Sequence, residues 1–263
     1  CFSFSIVKTN THYGFTLAPK FSITMMKTSL PLLVEVQKYF GVGGIYLSHG
    51  YYTYGCYNFM QIWHIIIPHF FKYPLHGSKH TAFVKFVNIM LMFFPYHNER
   101  KPRLVLMKRL VLVTGINAGS HRTTRTIIKW IDKLPVTPDY NFPLVTDYMN
   151  SLTFITREAL IGLIEGDGSF FFFFVRKGTN RVRFGFSITT NKEDVNILRR
   201  VKRYLGFGNI NKVNTWYRYK TESVKCLWDV IIPLVDSIGM IGSKAEKYEA
   251  FRKVIVMYKI KNI

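Results

Sequence analysis

The sequence predicts an α+β protein made of two similar halves. Three observations lead to this fold class. The chain repeats itself at a fixed interval, segments with the period of a strand alternate in each repeat with segments of helical period, and 48% of the residues are hydrophobic. A hydrophobic fraction of this size in 263 residues indicates a folded chain with enough material for a sizeable core.

The repeat is defined by identical residues kept in one frame. Phe21-Ser22-Ile23-Thr24 recurs as Phe186-Ser187-Ile188-Thr189, so the interval, from 21 to 186, is 165 residues. Gly77-Ser78-Lys79 recurs at the same interval as Gly242-Ser243-Lys244. Chance does not keep such matches in one frame, so the chain is an internal duplication.

The duplication suggests three regions. We assign residues 1–94 to a first half, 95–156 to a basic connector and 157–263 to a second half. Within the connector, residues 104–113 and 123–134 are candidates for short helices. Cys1 corresponds to Ser169 of the second half, so we expect the helix that precedes Ser169 to have no counterpart in this sequence.

Two segments of the second half have the period of a strand. In residues 181–188 and again in 216–220, every second residue is suited to a core. The other face carries mostly cations and amides, whereas an exposed sheet face normally carries mixed polar residues, and this bias suits a phosphate backbone. The outward residues that we expect to contact a polyanion are Lys20 of the first half and Arg181, Arg183, Ser187, Arg218 and Lys220 of the second.

Helices are expected between and after these strands. Residues 191–204 carry apolar side chains at helical spacing, and Gly206 is expected to end that helix. Further helical segments follow Lys79 and Lys244. Each half is therefore ordered as strand, strand, helix, then a strand or strand pair, and a last helix.

The segment Leu160–Gly168 predicts a helix with an unusual end. Gly162 and Gly166 are four residues apart, so they leave one helical face bare, which favours close packing against a second helix. Gly168 is expected to end the helix as a left-handed cap. Thr156 is the predicted N-cap.

Two acids lie at the C-terminal end of this helix. Carboxylates there meet the negative end of the helix dipole, which is unfavourable alone and favourable for a divalent cation. Asp167 is the candidate metal ligand. For Glu165 we prefer a polar or capping role at the helix end over metal ligation.

The charge of the chain indicates its partner. A net charge of +21, from 36 Lys and Arg against 15 Asp and Glu, favours nucleic acid first and an anionic membrane surface second. The longest apolar runs are too short to span a bilayer, so no membrane role is expected. Three cysteines are too few and too scattered for a disulfide framework or a zinc site.

The segment Leu160–Gly168 resembles the motif for which the LAGLIDADG homing endonucleases are named. The resemblance continues in Tyr39–Gly44 and Tyr204–Asn209, which are similar to the helix-to-strand turn of that family, and in Tyr73–Lys79. It implies two pseudo-symmetric αββαββα halves whose four-stranded antiparallel sheets form a DNA-binding saddle. The motif helices would pack through Gly162 and Gly166, with the first one absent here.

The resemblance also implies a chemistry. It predicts hydrolysis of DNA with Mg²⁺ or another divalent cation, with Asp167 as catalytic metal ligand and the Gly166 backbone beside it. Lys79 and Lys244 would be basic catalytic residues near the scissile phosphates. The family habit and the residue usage of the chain suggest an intron-encoded mitochondrial protein that acts as a monomer, with dimerisation through the motif helix as an alternative.

Two other hypotheses stay open at this point. The chain could be a maturase that binds its host intron RNA through the same basic sheets, without need of the acid at 167. It could also be an inactive relic. Splicing assistance that survives Asp167→Asn, together with absent DNA cleavage by the chain, would favour the maturase.

Overall fold

The computed structural model describes residues 2–8, 15–94, 154–175 and 182–261. They form two compact units. One contains the described residues up to Met25 and from Leu33 to 94, and the other contains Met26–Leu32 and the described residues from 154 onward. Each unit holds helices and one four-stranded sheet with antiparallel strand pairs. This confirms the predicted α+β class.

The first sheet and its helices follow one another along residues 2–94. The elements are β1 (Phe2–Lys8), β2 (Phe15–Met26), a 3₁₀ turn (Lys27–Ser29), α1 (Leu30–Phe40), β3 (Gly44–Ser48), β4 (Tyr51–Cys56), α2 (Phe59–Gln61), a π-helical turn (Ile62–Ile66), α3 (Ile67–Lys72) and α4 (Ser78–Phe93).

The second sheet and its helices follow the same order. The elements are α5 (Arg157–Asp167), β5 (Gly168–Phe174), β6 (Val182–Asn191), α6 (Val195–Leu205), β7 (Asn209–Val213), β8 (Trp216–Thr221), α7 (Val224–Cys226), a π-helical turn (Leu227–Ile231), α8 (Ile232–Asp236) and α9 (Ala245–Lys261).

The two units share their strand order, a strand register and a tyrosine hydrogen bond. The strand orders are β1-β2-β4-β3 and β5-β6-β8-β7. The register agrees as well, because Ile45 pairs with Tyr54 as Ile210 pairs with Tyr219. The hydroxyl of Tyr54 donates to the carbonyl of Val42 at 2.9 Å, and that of Tyr219 to the carbonyl of Phe207 at 3.1 Å.

Each unit has its own hydrophobic core between sheet and helices. The first core includes five buried residues from its strands and helices, namely Phe21, Leu33, Tyr54, Phe83 and Phe86. The second core contains the corresponding strand and helix residues of the other repeat, including Phe186, Leu198, Tyr219, Phe251 and the motif-helix residue Ile164. Two separate cores explain why each repeat keeps its own complete apolar pattern.

Several predicted elements need correction or lie outside the described residues. The helix expected over 191–204 begins at Val195, because the Asn191 side chain accepts from the backbone N–H of Asp194 in a preceding turn. It ends as predicted, with Gly206 in the left-handed region at φ 79°. A further helical segment precedes the last helix in each unit, which the sequence pattern did not predict. The candidate helices of the connector and Arg181 lie outside the described residues.

No helix in the described part of the chain is both long and apolar enough to cross a membrane.

Candidate active site and nucleic-acid interface

The motif helix α5 begins as the sequence predicted. The Thr156 hydroxyl accepts from the backbone N–H of Ala159 at 3.2 Å, and Glu158 lies in the first turn, where a negative charge is favourable. Leu160, Ile161 and Ile164 bury one side of the helix in the second core. The helix ends at Asp167, whose side chain is exposed.

The predicted left-handed cap at Gly168 is wrong. Gly168 has φ −71° and ψ 154°, so the chain passes from helix into β5 without a left-handed residue. A Cβ at this position would lie 2.6 Å from the carbonyl oxygen of Ile164. Glycine is needed here because the strand leaves in close contact with the preceding helical turn.

Gly162 and Gly166 form a bare, exposed face on α5. A Cβ on either glycine would have no heavy atom of the described residues within 4 Å. The space predicted for a close-packed helix is therefore present on this face. The packing itself stays a prediction.

Lys244 lies against the acidic end of the motif helix. Its ammonium donates to the carbonyl oxygen of Gly166 at 2.6 Å and lies 3.4 Å from that of Ile164. The last carbonyls of a helix have no partner within the helix and carry partial negative charge, so a cation there is stabilised. Lys244 supplies this cation directly before α9.

Glu165 fixes the loop that carries Lys244. Its Oε1 accepts from the backbone N–H of Ile241 at 2.7 Å and from that of Gly242 at 3.2 Å. The next backbone N–H, of Ser243, donates to the hydroxyl of Ser29 at 3.1 Å. Three successive loop donors thus end on two side chains of the same unit.

Glu165 and Lys244 each bind the segment that carries the other. Glu165 holds the loop before Lys244, and Lys244 holds the carbonyls on either side of Glu165. A Cβ at Gly242 would lie 2.7 Å from Oε2 of Glu165, so a larger residue there would require the carboxylate to shift. This gives Glu165 a polar role at the helix end, although its partners are far away in the sequence.

Burial lowers the pKa of the Lys244 ammonium, because desolvation disfavours the charged form. The carboxylates of Asp167 and Glu165 oppose that shift, and the charge of Lys247 adds to it. The site therefore combines one half-buried cation with two acids at one helix end.

The oxygen donors at this end fit part of a magnesium or calcium site. Mg²⁺ is usually held by one or two carboxylates together with substrate phosphates and water. Asp167 supplies an exposed carboxylate, and the Gly166 carbonyl has a second lone pair beside the one used by Lys244. Among the described residues, no group of three or more His, Cys, Asp or Glu is placed to hold a metal alone.

The outward face of the second sheet gathers four of the predicted contact residues. Arg183 and Arg218 are exposed, and Lys220 forms an ion pair with Glu222. Ser187 pairs with Lys220 on the middle strands, but it is 7% exposed, so the expectation of a solvent-facing side chain needs correction. Its neighbours cover this short side chain in the centre of the sheet.

The first unit contributes two of the predicted basic residues, Lys20 and Lys79. Lys20 lies on β2, half-buried, with its ammonium 5.6 Å from the centroid of the Tyr57 ring. Lys79 is exposed near the start of α4. Its counterpart Lys244 is half-buried, so the two lysines of the duplicated tripeptide have different surroundings.

Sequence reasoning did not find the roles of Ser29 and Gly242. Both depend on contacts across more than 70 positions of the sequence, as the Glu165 pair with Gly242 and the Ser29 pair with Ser243 show. The one available signal was the duplicated Gly-Ser-Lys, in which the glycine precedes the lysine by two residues.

A family profile and two relatives match this chain. The profile described as LAGLIDADG endonuclease matches residues 1–90 and 160–255. "Probable intron-encoded DNA endonuclease 1" of Mycosarcoma maydis is 27% identical over 222 residues, covering 82% of this chain and 79% of that protein. "Probable intron-encoded endonuclease 2" of Neurospora crassa is 24% identical over 255 residues, covering 94% of this chain and 55% of that protein. The chain thus spans about half the length of this second relative.

The fold also matches a solved structure over its full length. The structure of I-SmaMI bound to an uncleaved DNA target in the presence of calcium ions has a TM-score of 0.78 and 25% sequence identity. The match covers 100% of this chain and 88% of that one.

Proposed function

The chain belongs to the LAGLIDADG endonuclease family, and on that premise we propose that it cleaves double-stranded DNA at an intron-insertion site with a divalent metal ion. One observation carries the proposal. The exposed carboxylate of Asp167 follows directly on a helix end where the Lys244 ammonium is held on the Gly166 carbonyl. An acid and a half-buried cation at one point suit a reaction at a phosphodiester.

Each group has a role in this proposal. Asp167 and the Gly166 carbonyl would hold Mg²⁺, which polarises the phosphate and lowers the pKa of a bound water. In the reaction, one water oxygen bonds to phosphorus, the bond from phosphorus to one sugar oxygen breaks, and the released oxygen takes a proton. Lys244 would stabilise the negative charge that develops on the phosphate, and Lys79 would do the same for the first half.

The sheets would bind the DNA. The cations of the outward faces, including Lys20, Arg183, Arg218 and Lys220, suit contacts with phosphates and base edges in the major groove. Arg181 stays in the proposed set by its position in the sequence. Host intron RNA is the competing polyanion.

The proposal also covers the location of the gene and the oligomeric state of the protein. Two relatives carry names of intron-encoded endonucleases, and the chain has 23 phenylalanines, a usage that suits AT-rich genes. We place the gene in a mitochondrial intron. Two fused halves favour a monomer, and the glycine face of Gly162 and Gly166 would receive a second motif helix, in the monomer or in a dimer.

Cleavage of the intron-insertion site with Mg²⁺ tests this function. The substrate is a duplex with the joined exon sequences of the host gene, and the purified chain is compared with Asp167→Asn. Loss of a second-sphere metal partner costs about 10- to 100-fold, so loss of the ligand itself should slow cleavage by at least about 100-fold. Binding in Ca²⁺ serves as the folding control, because it should persist in the variant.

Two results would overturn parts of the proposal. Equal double-strand cleavage by the wild type and by Asp167→Asn removes Asp167 from the metal site. Absent DNA cleavage with splicing assistance that survives Asp167→Asn assigns the protein to intron RNA as a maturase.

A further inference from the structure

Two phenylalanines, the half-buried Phe171 and the exposed Phe173, interrupt the polar face of the second sheet. Phe171 and Phe173 lie on β5 with the parity of the outward residues, since Phe173 pairs with Arg183 across the strands. Phe173 is 44% exposed. The centres of the other strands on this face carry polar, charged or small residues, and exposed apolar side chains recur at the β7–β8 end, at Val213 and Trp216. The polar and charged members are Ser169, Arg183, Ser187, Thr189, Asn209, Asn211, Arg218 and Lys220.

The two rings are fixed to the sheet. A Cβ at Gly185 would lie 2.2 Å from the ring of Phe171, so this ring rests on the bare backbone of its cross-strand partner. Phe173 stacks on Phe171, with centroids 6.4 Å apart and planes 16° apart. The Lys220 ammonium lies 5.5 Å from the centroid of Phe171. The pair is thus an ordered apolar surface bordered by cations.

The fold does not require this apolar surface. In the first sheet Ser3 pairs with Lys20 where Phe171 pairs with Gly185 in the second, at the same register. The duplicate strands therefore form with a polar and a cationic residue at these positions. Phe171 and Gly185 are a feature of one half, which points to recognition rather than folding.

We propose that Phe171 and Phe173 contact the C5-methyl groups of thymines in the DNA half-site of the second sheet. This inference depends on the proposed function. The thymine methyl is the one apolar group that the base edges present in the major groove, and it suits an exposed phenylalanine. The neighbouring cations Arg183, Arg218 and Lys220 complement the phosphates on either side, so duplex DNA fits this mixed surface better than an apolar partner does.

Selection from a randomised duplex library tests the proposal. The wild-type chain is expected to prefer thymine at one or two adjacent positions, and Phe171→Ala and Phe173→Ala are expected to lose that preference alone. Phe174→Ala is the matched control, because Phe174 is 65% exposed but has the opposite parity on the same strand. A double variant, Phe171→Ser with Gly185→Lys, transfers the residues of the first sheet and should shift the preference at these positions.

A second measurement leaves the protein unchanged. Deoxyuridine replaces thymine at the preferred positions and removes only the methyl group. Wild-type affinity should fall about fourfold for each buried methyl. The affinity of Phe173→Ala should be the same for both duplexes.

Three results would count against the proposal. Equal wild-type affinity for thymine and deoxyuridine, or a thymine preference that survives both alanine variants, overturns it while leaving the proposed function in place. Self-association that depends on Phe173, without a thymine preference, assigns the pair to a protein interface. No sequence preference at any position overturns the inference together with the proposed function.

Discussion

The ammonium of Lys244 donates a hydrogen bond of 2.6 Å to the carbonyl oxygen of Gly166, the residue directly before Asp167. A bond of this length from a charged donor is among the stronger hydrogen bonds in proteins. It ties the start of the last helix to the end of the motif helix. The positive charge is thereby held beside the proposed metal ligand by the protein itself.

Lys244→Met should slow cleavage without an equal loss of DNA binding. Removal of one preorganised charge-stabilising group costs on the order of 100-fold in rate. Lys247→Met is the matched control, since Lys247 is exposed in the first turns of the same helix and should change the rate little. Single-turnover cleavage at saturating protein measures the difference, and equal rates for the two variants would remove Lys244 from the catalytic set.

Glu165→Ala should destabilise the protein and misplace Lys244. It leaves the N–H groups of Ile241 and Gly242 without their acceptor, and the loss at buried Gly242 costs about 1–3 kcal/mol, whereas water can replace the acceptor at exposed Ile241. Glu165→Gln retains an acceptor and should lose less stability and less of the single-turnover cleavage rate. Urea unfolding measures the stability, with the exposed Glu158→Ala as control. A glutamine variant as damaged as the alanine variant would contradict the acceptor role.

Gly162 within α5 and Gly168 directly after it should respond in opposite ways to alanine. Gly168→Ala forces a Cβ to within 2.6 Å of the Ile164 carbonyl and should cost about 1–3 kcal/mol of stability. Gly162→Ala meets open space among the described residues and should raise the free energy of unfolding by up to about 1 kcal/mol. Thermal or urea unfolding compares them. A loss of stability in Gly162→Ala would show that a second helix packs on this face.

Tyr54→Phe should change the stability of the protein at alkaline pH. Burial raises the pKa of Tyr54 to about 12, and neighbouring Cys56 adds to the shift. Since the folded pKa exceeds that of the unfolded chain, the protonated tyrosine stabilises the fold fully below pH 10 and loses this effect between about pH 10 and 12. The wild type should therefore lose on the order of 2 kcal/mol more than the variant over that range. Unfolding at pH 8, 10 and 11.5 measures it, and parallel curves would refute it.

DNA binding should depend steeply on salt, because the basic faces displace counterions from the phosphates. Arg218→Ala should reduce the slope of log K against log salt by about 1 if Arg218 contacts a phosphate. The exposed Arg199→Ala on α6 is a control outside the sheet. A salt dependence that is flat for the wild type would count against the basic faces altogether.

Periodicity and repetition were sufficient to predict the fold class and most strands. The two-residue alternation over 182–188 and 216–220 is confirmed because both strands place their large apolar residues on the core face, although Gly185 and Ser187 on the other face of β6 are buried as well. The N-terminal end of α6 and the cap at Gly168 could not be predicted, because a side-chain turn at Asn191 and a close strand departure decided them. The residue types in these segments do not indicate either contact.

The candidate site, like the fold, could be predicted only in part from the sequence. The sequence identified Asp167 and the lysine of the duplicated tripeptide as candidates, and the structure brings Lys244 to the helix end. The partners of Glu165 could not be predicted, since Ile241 lies 76 positions away and its residue type gives no sign that its backbone N–H donates to a carboxylate. Long-range backbone contacts of this kind follow from packing alone.

The paired registers of the two sheets have a consequence for how such a protein can change. Each strand presents its core residues and its outward residues in alternation, so Ser3 with Lys20 and Phe171 with Gly185 occupy equivalent places on equivalent scaffolds. Substitutions on the outward side therefore drift without disturbing the buried side. A gene duplication on this scaffold yields two surfaces that can diverge independently, and each can be retargeted while the other is kept.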